Sequence, residues 1–389
     1  MAPRNQRSPL YSQIRDFVLA NLQQRIWRAN DQLPTELELA EKFNVSRFTV
    51  KKALGELVEE GLIYRIQGKG SYVAPAAGER EPSFSLPDIG SIPLKQAVYV
   101  TPDIESGLSA RILAGAEEIL SRYGWQLIIK SSRNERETER RLLLESVQAG
   151  ARGVMIFPVD GESYNEDILR LTLNKFPIVV IDRYLKGVDT NCVCSDNAGG
   201  AYEATAHLIG LGHRHIGYIA MHGSPTTSLE ERQGGYERAL ADHRLPIGPT
   251  LVHYATDEVR RTNETDAVLL DPFAVHAESI RVFLQRHPEV TAIFAATTHG
   301  GMAAMQAAAD LGLQVPGQLS VVFFDDFAYS PFSRIPPTCI VQQETELGTE
   351  AAKLLLSVIG NPLQERRKIT LPTRLVRRQS TAPPPDKRR

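Results

Sequence analysis

The N-terminal region carries donor side chains of the kinds that bind base edges and phosphates. Arg47, Lys51 and Lys52 lie close together, with Phe48 and Thr49 between them. Arginine, lysine and hydroxyl side chains donate hydrogen bonds to bases and phosphate oxygens, and an aromatic ring can contact a thymine methyl group. The chemistry that these residue types favour is therefore the binding of double-stranded DNA.

The surrounding pattern predicts two helices that would position these side chains. Pro34 and Thr35 are typical of a helix start, and Ser46 is a candidate N-cap for a second helix. The second helix has an apolar stripe at the i, i+3, i+4, i+7 spacing of a buried face. The residues of this stripe are Val50, Ala53, Leu54 and Leu57.

A hairpin with a glycine turn is predicted directly after the second helix, which ends at Gly61. Residues 62–66 and 71–73 alternate as strands, and the turn between them would project Gln67 and Lys69 as a wing. The alternative is an ordinary amphipathic helix with a solvated basic face. That alternative does not account for the caps, the stripe and the hairpin in the order that a DNA groove requires.

The segments PLYSQIRDFVLANLQQ (9–24) and LPTELELAEKFNVSRFTVKKALGELVEEGLIYRIQGKGSYVA (33–74) resemble the GntR family of bacterial winged-helix regulators. The resemblance implies that the second helix and the wing contact DNA, the wing at or near the minor groove. Two residues depart from the family pattern: Leu37 replaces the usual arginine, and Phe48 replaces a small hydroxyl residue, so the operator sequence does not carry over. The predicted DNA-binding residues are Thr35, Glu36, Ser46, Arg47, Phe48, Thr49, Lys51, Lys52, Gln67, Gly68 and Lys69.

Composition and charge are those of an ordinary globular chain with a basic N-terminal end. The 389 residues are 42% hydrophobic and 23% charged, with a net charge of -2. Residues 1–74 hold 11 Lys and Arg against 8 Asp and Glu, a charge of +3, which leaves -5 for the remainder. No apolar run approaches the length of about 20 residues that crosses a bilayer, and the N-terminus lacks an apolar signal core, so we expect a cytoplasmic protein with no membrane partner.

Cysteines and histidines give no metal site in the sequence. The 3 cysteines are too few and wrongly spaced for zinc or a disulfide framework, and we expect them to be reduced. His207, His213 and His215 lie in and near GLGHRH, which is interpreted as a polar turn between a helix and a strand. We therefore predict no metal and no cofactor.

After a Pro-, Gly- and Ser-rich stretch at 75–95, interpreted as a linker, short apolar runs alternate with helical segments. This alternation predicts parallel sheets in two doubly wound lobes. Ligands bind outside the carboxyl ends of the strands in such folds. The polar residues that follow the strands are Asp103, Asp182, Arg183, His222 to Ser224, Thr297, Thr298, Asp325 and Asp326, and Arg232 enters a following helix.

A second resemblance covers about residues 96–380. SDNAGGAYEATAHLIGLGHRHIGYIA, RQGGYERAL and LGLQVPGQLSVVFFDDFAYSPFSRIPPTCIVQQETELGTEAAKLLL resemble the effector domain of LacI/GalR-type repressors. The resemblance implies a periplasmic-binding-protein-like fold with crossovers near residues 194, 342 and 371, and a small effector in the cleft. One departure is Thr297-Thr298, where an Asn-Asp pair is usual. The effector-binding residues predicted from position and resemblance are Asp103, Asp182, Arg183, Arg232, Thr297, Thr298, Asp325 and Gln342.

The predicted fold class is α/β: a winged helix-turn-helix at 1–74, the linker, a two-lobed effector domain at 96–380 and a disordered basic tail at 381–389. The two resemblances together match the layout of arabinose-responsive repressors, which favours a pentose or polyol effector. We expect a homodimer; the helix at 109–122, with the stripe Ile112, Leu113, Ala116 and Ile119, is a candidate interface or plain core. Activation or co-repression, a solute-binding protein and an enzyme are the alternatives, but phosphate-loop, G-x-S-x-G and H-E-x-x-H motifs are missing from the sequence.

Overall fold

The computed structural model describes residues 9–24, 26–28, 30–66, 69–74, 95–159, 166–221, 226–248, 251–255 and 272–385. The chain divides into two units, Met1–Pro93 and Leu94–Arg389. Within the described ranges, no helix has both the length and the apolar character needed to span a membrane.

The first unit is the predicted winged helix-turn-helix. A capping box begins its second helix: the Thr35 side chain accepts from the Glu38 backbone, and the Glu38 carboxylate accepts from the Thr35 N–H at 2.7 Å. Asn44, in the left-handed conformation at φ 48°, ends that helix, and Ser46 caps the next. The elements are α1 Leu10–Gln23, α2 Glu36–Phe43, α3 Arg47–Glu59, β1 Ile63–Ile66 and β2 Gly70–Val73.

The second unit contains two six-stranded sheets with helices between the strands. In chain order its elements are β3 Gln96–Thr101, α4 Gly107–Arg122, β4 Gln126–Ser131, α5 Arg136–Gln148, β5 Gly153–Ile156, α6 Glu166–Leu173, β6 Ile178–Ile181, β7 Cys192–Ser195, α7 Asn197–Gly210, β8 Ile216–Met221, α8 Thr227–Asp242, β9 Val252–Ala255, α9 Pro272–Arg286, β10 Ala292–Ala295, α10 Thr298–Asp310, β11 Ser320–Phe324, β12 Thr338–Val341, α11 Glu344–Gly360, β13 Lys368–Leu371 and β14 Arg374–Val376.

Each sheet forms the centre of one lobe. The first lobe has the strand order β13-β7-β6-β5-β3-β4, with all neighbours parallel; the second has β14-β12-β11-β10-β8-β9, with only β14 antiparallel among its pairs. The chain passes between the lobes after Ser195, after Val341 and after Leu371, because α7 and β14 pack in the second lobe while α11 and β13 pack in the first. The predicted doubly wound parallel fold is confirmed.

Helices α4 and α11 pack against each other unusually closely in the first lobe. A Cβ at Gly115 would overlap the Thr345 carbonyl oxygen, and a Cβ at Gly348 would overlap the Ile112 carbonyl oxygen. Ile112, Ala116 and Ile119 are buried in the core beneath this contact. The two interpretations of the α4 stripe are a dimer interface and plain core. These three side chains belong to the core, because α11 covers them.

We expect Gly348→Ala to lower the stability of the second unit by about 1 to 3 kcal/mol, because the added methyl forces the two helix backbones apart. Gly234→Ala in α8 is the matched control: apart from its own helix backbone, no atom of the described residues lies within 4 Å of its Cβ position, so alanine should be neutral or slightly stabilising there. Thermal unfolding of both variants measures the difference. Equal midpoints for Gly348→Ala and the parent would show that α4 and α11 do not approach this closely.

The chain after Ser380 departs from the predicted disordered tail. The Ala382 carbonyl oxygen lies 2.9 Å from His213 Nε2 and accepts from Ser320 Oγ at 3.0 Å, while Thr381 Oγ1 lies 3.1 Å from His207 Nε2. His213 is buried and pairs its other ring nitrogen with Thr291 Oγ1 at 2.8 Å. The proline-rich composition of the tail does not reveal that His213 and Ser320, far away in the sequence, form hydrogen bonds with it. Residues 386–389 lie outside the described part.

We expect acid to destabilise the second unit partly through His213. Burial lowers the pKa of His213, so as the pH falls through about 6.5, the pKa of a histidine in the unfolded chain, the unfolded chain takes up the proton first. Stability from this group is therefore complete well above that pH and is lost as the pH falls below it. His213→Gln, which introduces a polar amide that does not titrate, should show a shallower fall in thermal midpoint as the pH falls; an identical pH slope would contradict the assignment.

Candidate functional site

The exposed start of α3 presents Arg47, Phe48 and Lys51. Phe48 is 79% exposed, which is unusual for an aromatic side chain unless a partner covers it. Ser46 Oγ accepts from the Thr49 N–H at 3.2 Å and lies 2.9 Å from the Thr49 hydroxyl, so this pair fixes the first turn. The helix N-terminus adds its positive dipole end to the same face.

Other predicted DNA-binding side chains have partners within the first unit. Lys52 extends toward α1, with its ammonium 4.6 Å from the Tyr11 ring centroid, and the Thr35 hydroxyl bonds Glu38 at 2.9 Å. Lys69 is exposed, and its backbone carbonyl accepts from the Gln32 side chain at 2.8 Å. Gln67 and Gly68 lie outside the described residues.

A groove of about 600 Å³ runs between the start of α2, Arg47 and the wing strands. Glu36 forms an ion pair with Arg65 at 3.5 Å on its wall, and the Arg65 guanidinium also donates to the Lys51 carbonyl oxygen at 3.3 Å. Arg65 was missing from the sequence-based set. Arg65 could have been predicted from its outward-facing position in the first wing strand, close to the basic face of α3.

In the second unit, two acidic residues follow directly on buried strands in a strained backbone conformation. Asp182 after β6 has φ 66° and Asp325 after β11 has φ 76°. Positive φ is uncommon for residues other than glycine and costs roughly 1 to 3 kcal/mol, so it persists where the surrounding structure requires it. The two carboxylates stand at the ends of strands from different lobes.

Arg232, Asp325 and Gln342, three of the predicted effector residues, form one cluster in the structure. Gln342 donates its side-chain amide to Asp325 Oδ1, and Arg232 Nη1 lies 3.6 Å from Asp325 Oδ2. Arg232 is 4% exposed, and its guanidinium stacks 3.7 Å from the Phe324 ring centroid. A buried arginine held on an aromatic face is a fixed, planar hydrogen-bond donor.

Two buried oxygens in this region have no hydrogen-bond partner within the described residues. They are Asp182 Oδ1 and Gln342 Oε1. Burial raises the pKa of Asp182, while Arg183 and Arg232 oppose that rise. Unpartnered buried acceptors are costly, and they suit a ligand that donates hydroxyl hydrogens to them.

The remaining predicted effector residues form hydrogen bonds with backbone groups near the strand ends. Asp103 Oδ1 accepts from the backbone of Glu105 and Ser106 at 3.1 and 2.6 Å, at the start of α4. Arg183 donates to Pro158 O at 2.9 Å and to Val159 O. The side chain of Thr297 caps α10, and Thr298 donates to the Asp325 carbonyl at 3.3 Å. His222 to Ser224 lie outside the described residues.

A cavity of about 510 Å³ lies beside the cluster, between the start of α11 and the loop after β11. Its lining includes Arg111, Asp326, Phe327, Gln342 and Glu344, so it adjoins Asp325 through Gln342. In the ranges that the structure describes, no group of three or more His, Cys, Asp or Glu could hold a metal ion.

Comparisons with known proteins match both units. A model for bacterial regulatory proteins of the gntR family matches residues 10–73, and one for a periplasmic binding protein-like domain matches residues 205–381. An arabinose metabolism transcriptional repressor from Geobacillus stearothermophilus is 31% identical over 361 residues, covering 90% of this chain and 91% of that protein. Another with the same name, from Halalkalibacterium halodurans, is 28% identical and covers 96% of each.

A solved structure, described as a transcriptional regulator CelR-cellobiose complex, has a TM-score of 0.63 and 25% identity and covers 86% of this chain and 90% of that one. Both predicted resemblances are thus confirmed. The chain belongs to the family of bacterial transcriptional regulators that join a gntR-type DNA-binding domain to a periplasmic-binding-protein-like domain, and it is a regulator of transcription, with DNA and a small effector as partners, rather than an enzyme.

Proposed function

We propose that the protein is a repressor that binds its operator as a homodimer and is released when arabinose or a related pentose binds between the lobes. The observation that carries this proposal is the cluster of Arg232, Asp325 and Gln342 beside the unpartnered oxygens of Asp182 and Gln342. Fixed donors alternating with open acceptors match a neutral ligand rich in hydroxyl groups, since each hydroxyl both donates and accepts. The names of the relatives from Geobacillus and Halalkalibacterium favour arabinose.

A homodimer follows from the size of the recognition helix. One helix such as α3 reads only one half-site, and two-fold related helices read a pseudo-palindromic operator. In this role the protein works in the cytoplasm, where the operator DNA lies. Light scattering at micromolar concentration should give a dimer, with or without operator, and a monomer under both conditions would contradict this part of the proposal.

The test begins with a duplex selected from a random library by the effector-free protein, because the operator does not carry over from relatives. Arabinose, ribose and cellobiose are then titrated into the fluorescently labelled complex. We expect arabinose to release the protein at the lowest concentration. Tighter binding with arabinose would instead show a co-repressed regulator or an activator, and release by none of the three would refute the proposed effector class.

A further inference from the structure

The cluster around Arg232 continues as a hydrogen-bonded chain into the other lobe. Arg232 Nε donates to Asn197 Oδ1 at 2.9 Å, and Asn197 Nδ2 donates to Glu231 Oε2 at 3.3 Å. Glu231 Oε1 accepts from the Tyr184 hydroxyl at 2.8 Å. Arg232, Asn197 and Glu231 lie in the second lobe, whereas Tyr184 follows β6 in the first.

The chemistry of the chain allows only one arrangement of its hydrogen bonds. Arginine only donates and a carboxylate only accepts, so the Asn197 amide must turn its oxygen to Arg232 and its nitrogen to Glu231. Glu231 needs both of its oxygens as acceptors, one for Asn197 and one for Tyr184. Asn197 is 1% exposed, so water does not substitute for either partner.

Further contacts join the lobes at the Tyr184 end. The Tyr184 N–H donates to Thr227 Oγ1 at 3.1 Å, and Lys186 forms an ion pair with Glu230. Lys368 of β13 lies 3.5 Å from the Tyr184 ring centroid and 3.7 Å from Glu231 Oε1. These contacts exist only while the loop after β6 meets the start of α8, and therefore depend on the separation of the lobes.

We infer that Tyr184, Glu231 and Asn197 are positioning residues: Asn197 and Glu231 orient the Arg232 guanidinium within the second lobe, and Tyr184 completes their hydrogen bonds only when the lobes meet, so effector affinity depends on a tyrosine in the opposite lobe. This inference rests on the proposed function, in which the effector binds the closed lobes. Without the Tyr184 hydroxyl the closed state loses a bond that the open state does not make. A smaller fraction of the protein is then closed, and the apparent affinity for the effector falls in proportion to that fraction.

The main variant is Tyr184→Phe, which removes the hydroxyl and keeps the ring beneath Lys368. We expect it to bind the selected operator as the parent does and to need about ten times more arabinose for half release, since a hydrogen bond to a charged group is worth about that factor. Tyr202→Phe is the matched control. Tyr202 also has a cation over its ring, the Arg238 guanidinium at 4.8 Å, but it takes no part in the hydrogen bonds that join Arg232 to Tyr184. It should respond as the parent does.

Glu231→Leu, alone and combined with Tyr184→Phe, tests whether the residues act as one hydrogen-bonded chain. Leucine has no acceptor oxygen and can serve neither Asn197 nor Tyr184. Because both changes break the same hydrogen-bonded chain, the double variant should need no more arabinose than Glu231→Leu alone. Multiplying effects of the two changes, or half release of Tyr184→Phe at the parental concentration, would overturn the inference.

Hydrogen exchange of effector-free full-length protein separates this inference from the proposed function. The amide N–H of residue 184 bonds Thr227 across the lobes, so it should exchange faster in Tyr184→Phe than in the parent or Tyr202→Phe. If arabinose fails to release the parent, the proposed function fails and this exchange rate alone decides the inference. Unchanged exchange in that case would overturn it.

Discussion

Arg47→Ala should abolish selective binding to the operator while leaving the fold of the first unit intact. Arg47 is exposed on the first turn of α3 and borders the groove that reaches the wing, so alanine removes no core contact. A bidentate base contact is worth about 1 to 3 kcal/mol of discrimination, and a dimer loses it in both half-sites, roughly 2 to 6 kcal/mol in all. That corresponds to a loss of more than about thirtyfold in specific affinity.

Fluorescence anisotropy with the selected duplex and a scrambled duplex measures this effect. Lys69→Ala is the comparison, because an exposed wing lysine that neutralises phosphate should weaken both duplexes alike and flatten the dependence on salt. The circular dichroism of both variants should match the parent. If Arg47→Ala bound the selected duplex normally, α3 would not be the element that reads the bases.

Asp325→Ala should give a regulator that stays on its operator at every arabinose concentration. The change removes a ligand acceptor and leaves Arg232, 4% exposed, without its carboxylate, which costs about 3 to 5 kcal/mol in a buried pair. It also places alanine at φ 76°, a conformation that asparagine tolerates better. Asp325→Asn keeps the shape and suits this backbone, so it should weaken the effector less than alanine does.

Arg232→Ala should have the same outcome, because it removes the fixed donor from the opposite side of the cluster. Titrating arabinose into the operator complexes of the parent, Asp325→Ala, Asp325→Asn and Arg232→Ala orders the four responses. Thermal unfolding establishes that the second unit of each variant remains folded. Release of both alanine variants at the parental concentration would show that the effector binds elsewhere.

Much of the fold was predictable because its signals are local in the chain. Thr35 and Ser46 mark helix starts through bonds to residues three positions away, at Glu38 and Thr49. The alternation of buried strands and helices fixes a parallel sheet, since a parallel pair needs a helix-length crossover. The starts of α8 at Thr227 and of α10 at Thr298 are harder to predict, because the first turn of each helix is polar and lies outside the apolar period.

The winged helix-turn-helix, the two parallel sheets and the residue types that follow the strands could all be predicted from the order of residues. That order could not say which of those residues meet. Gln342 reaches Asp325, and Asn197 joins Arg232 to Glu231, because crossovers bring together segments that are far apart in the chain. Similarly, Ile112 of α4 is part of the core because α11 packs over it, and buried His213 forms a hydrogen bond with the Ala382 carbonyl oxygen. These pairings depend on the tertiary structure alone. A buried polar group forms its hydrogen bond, and an apolar group packs, with whichever partner folding places beside it.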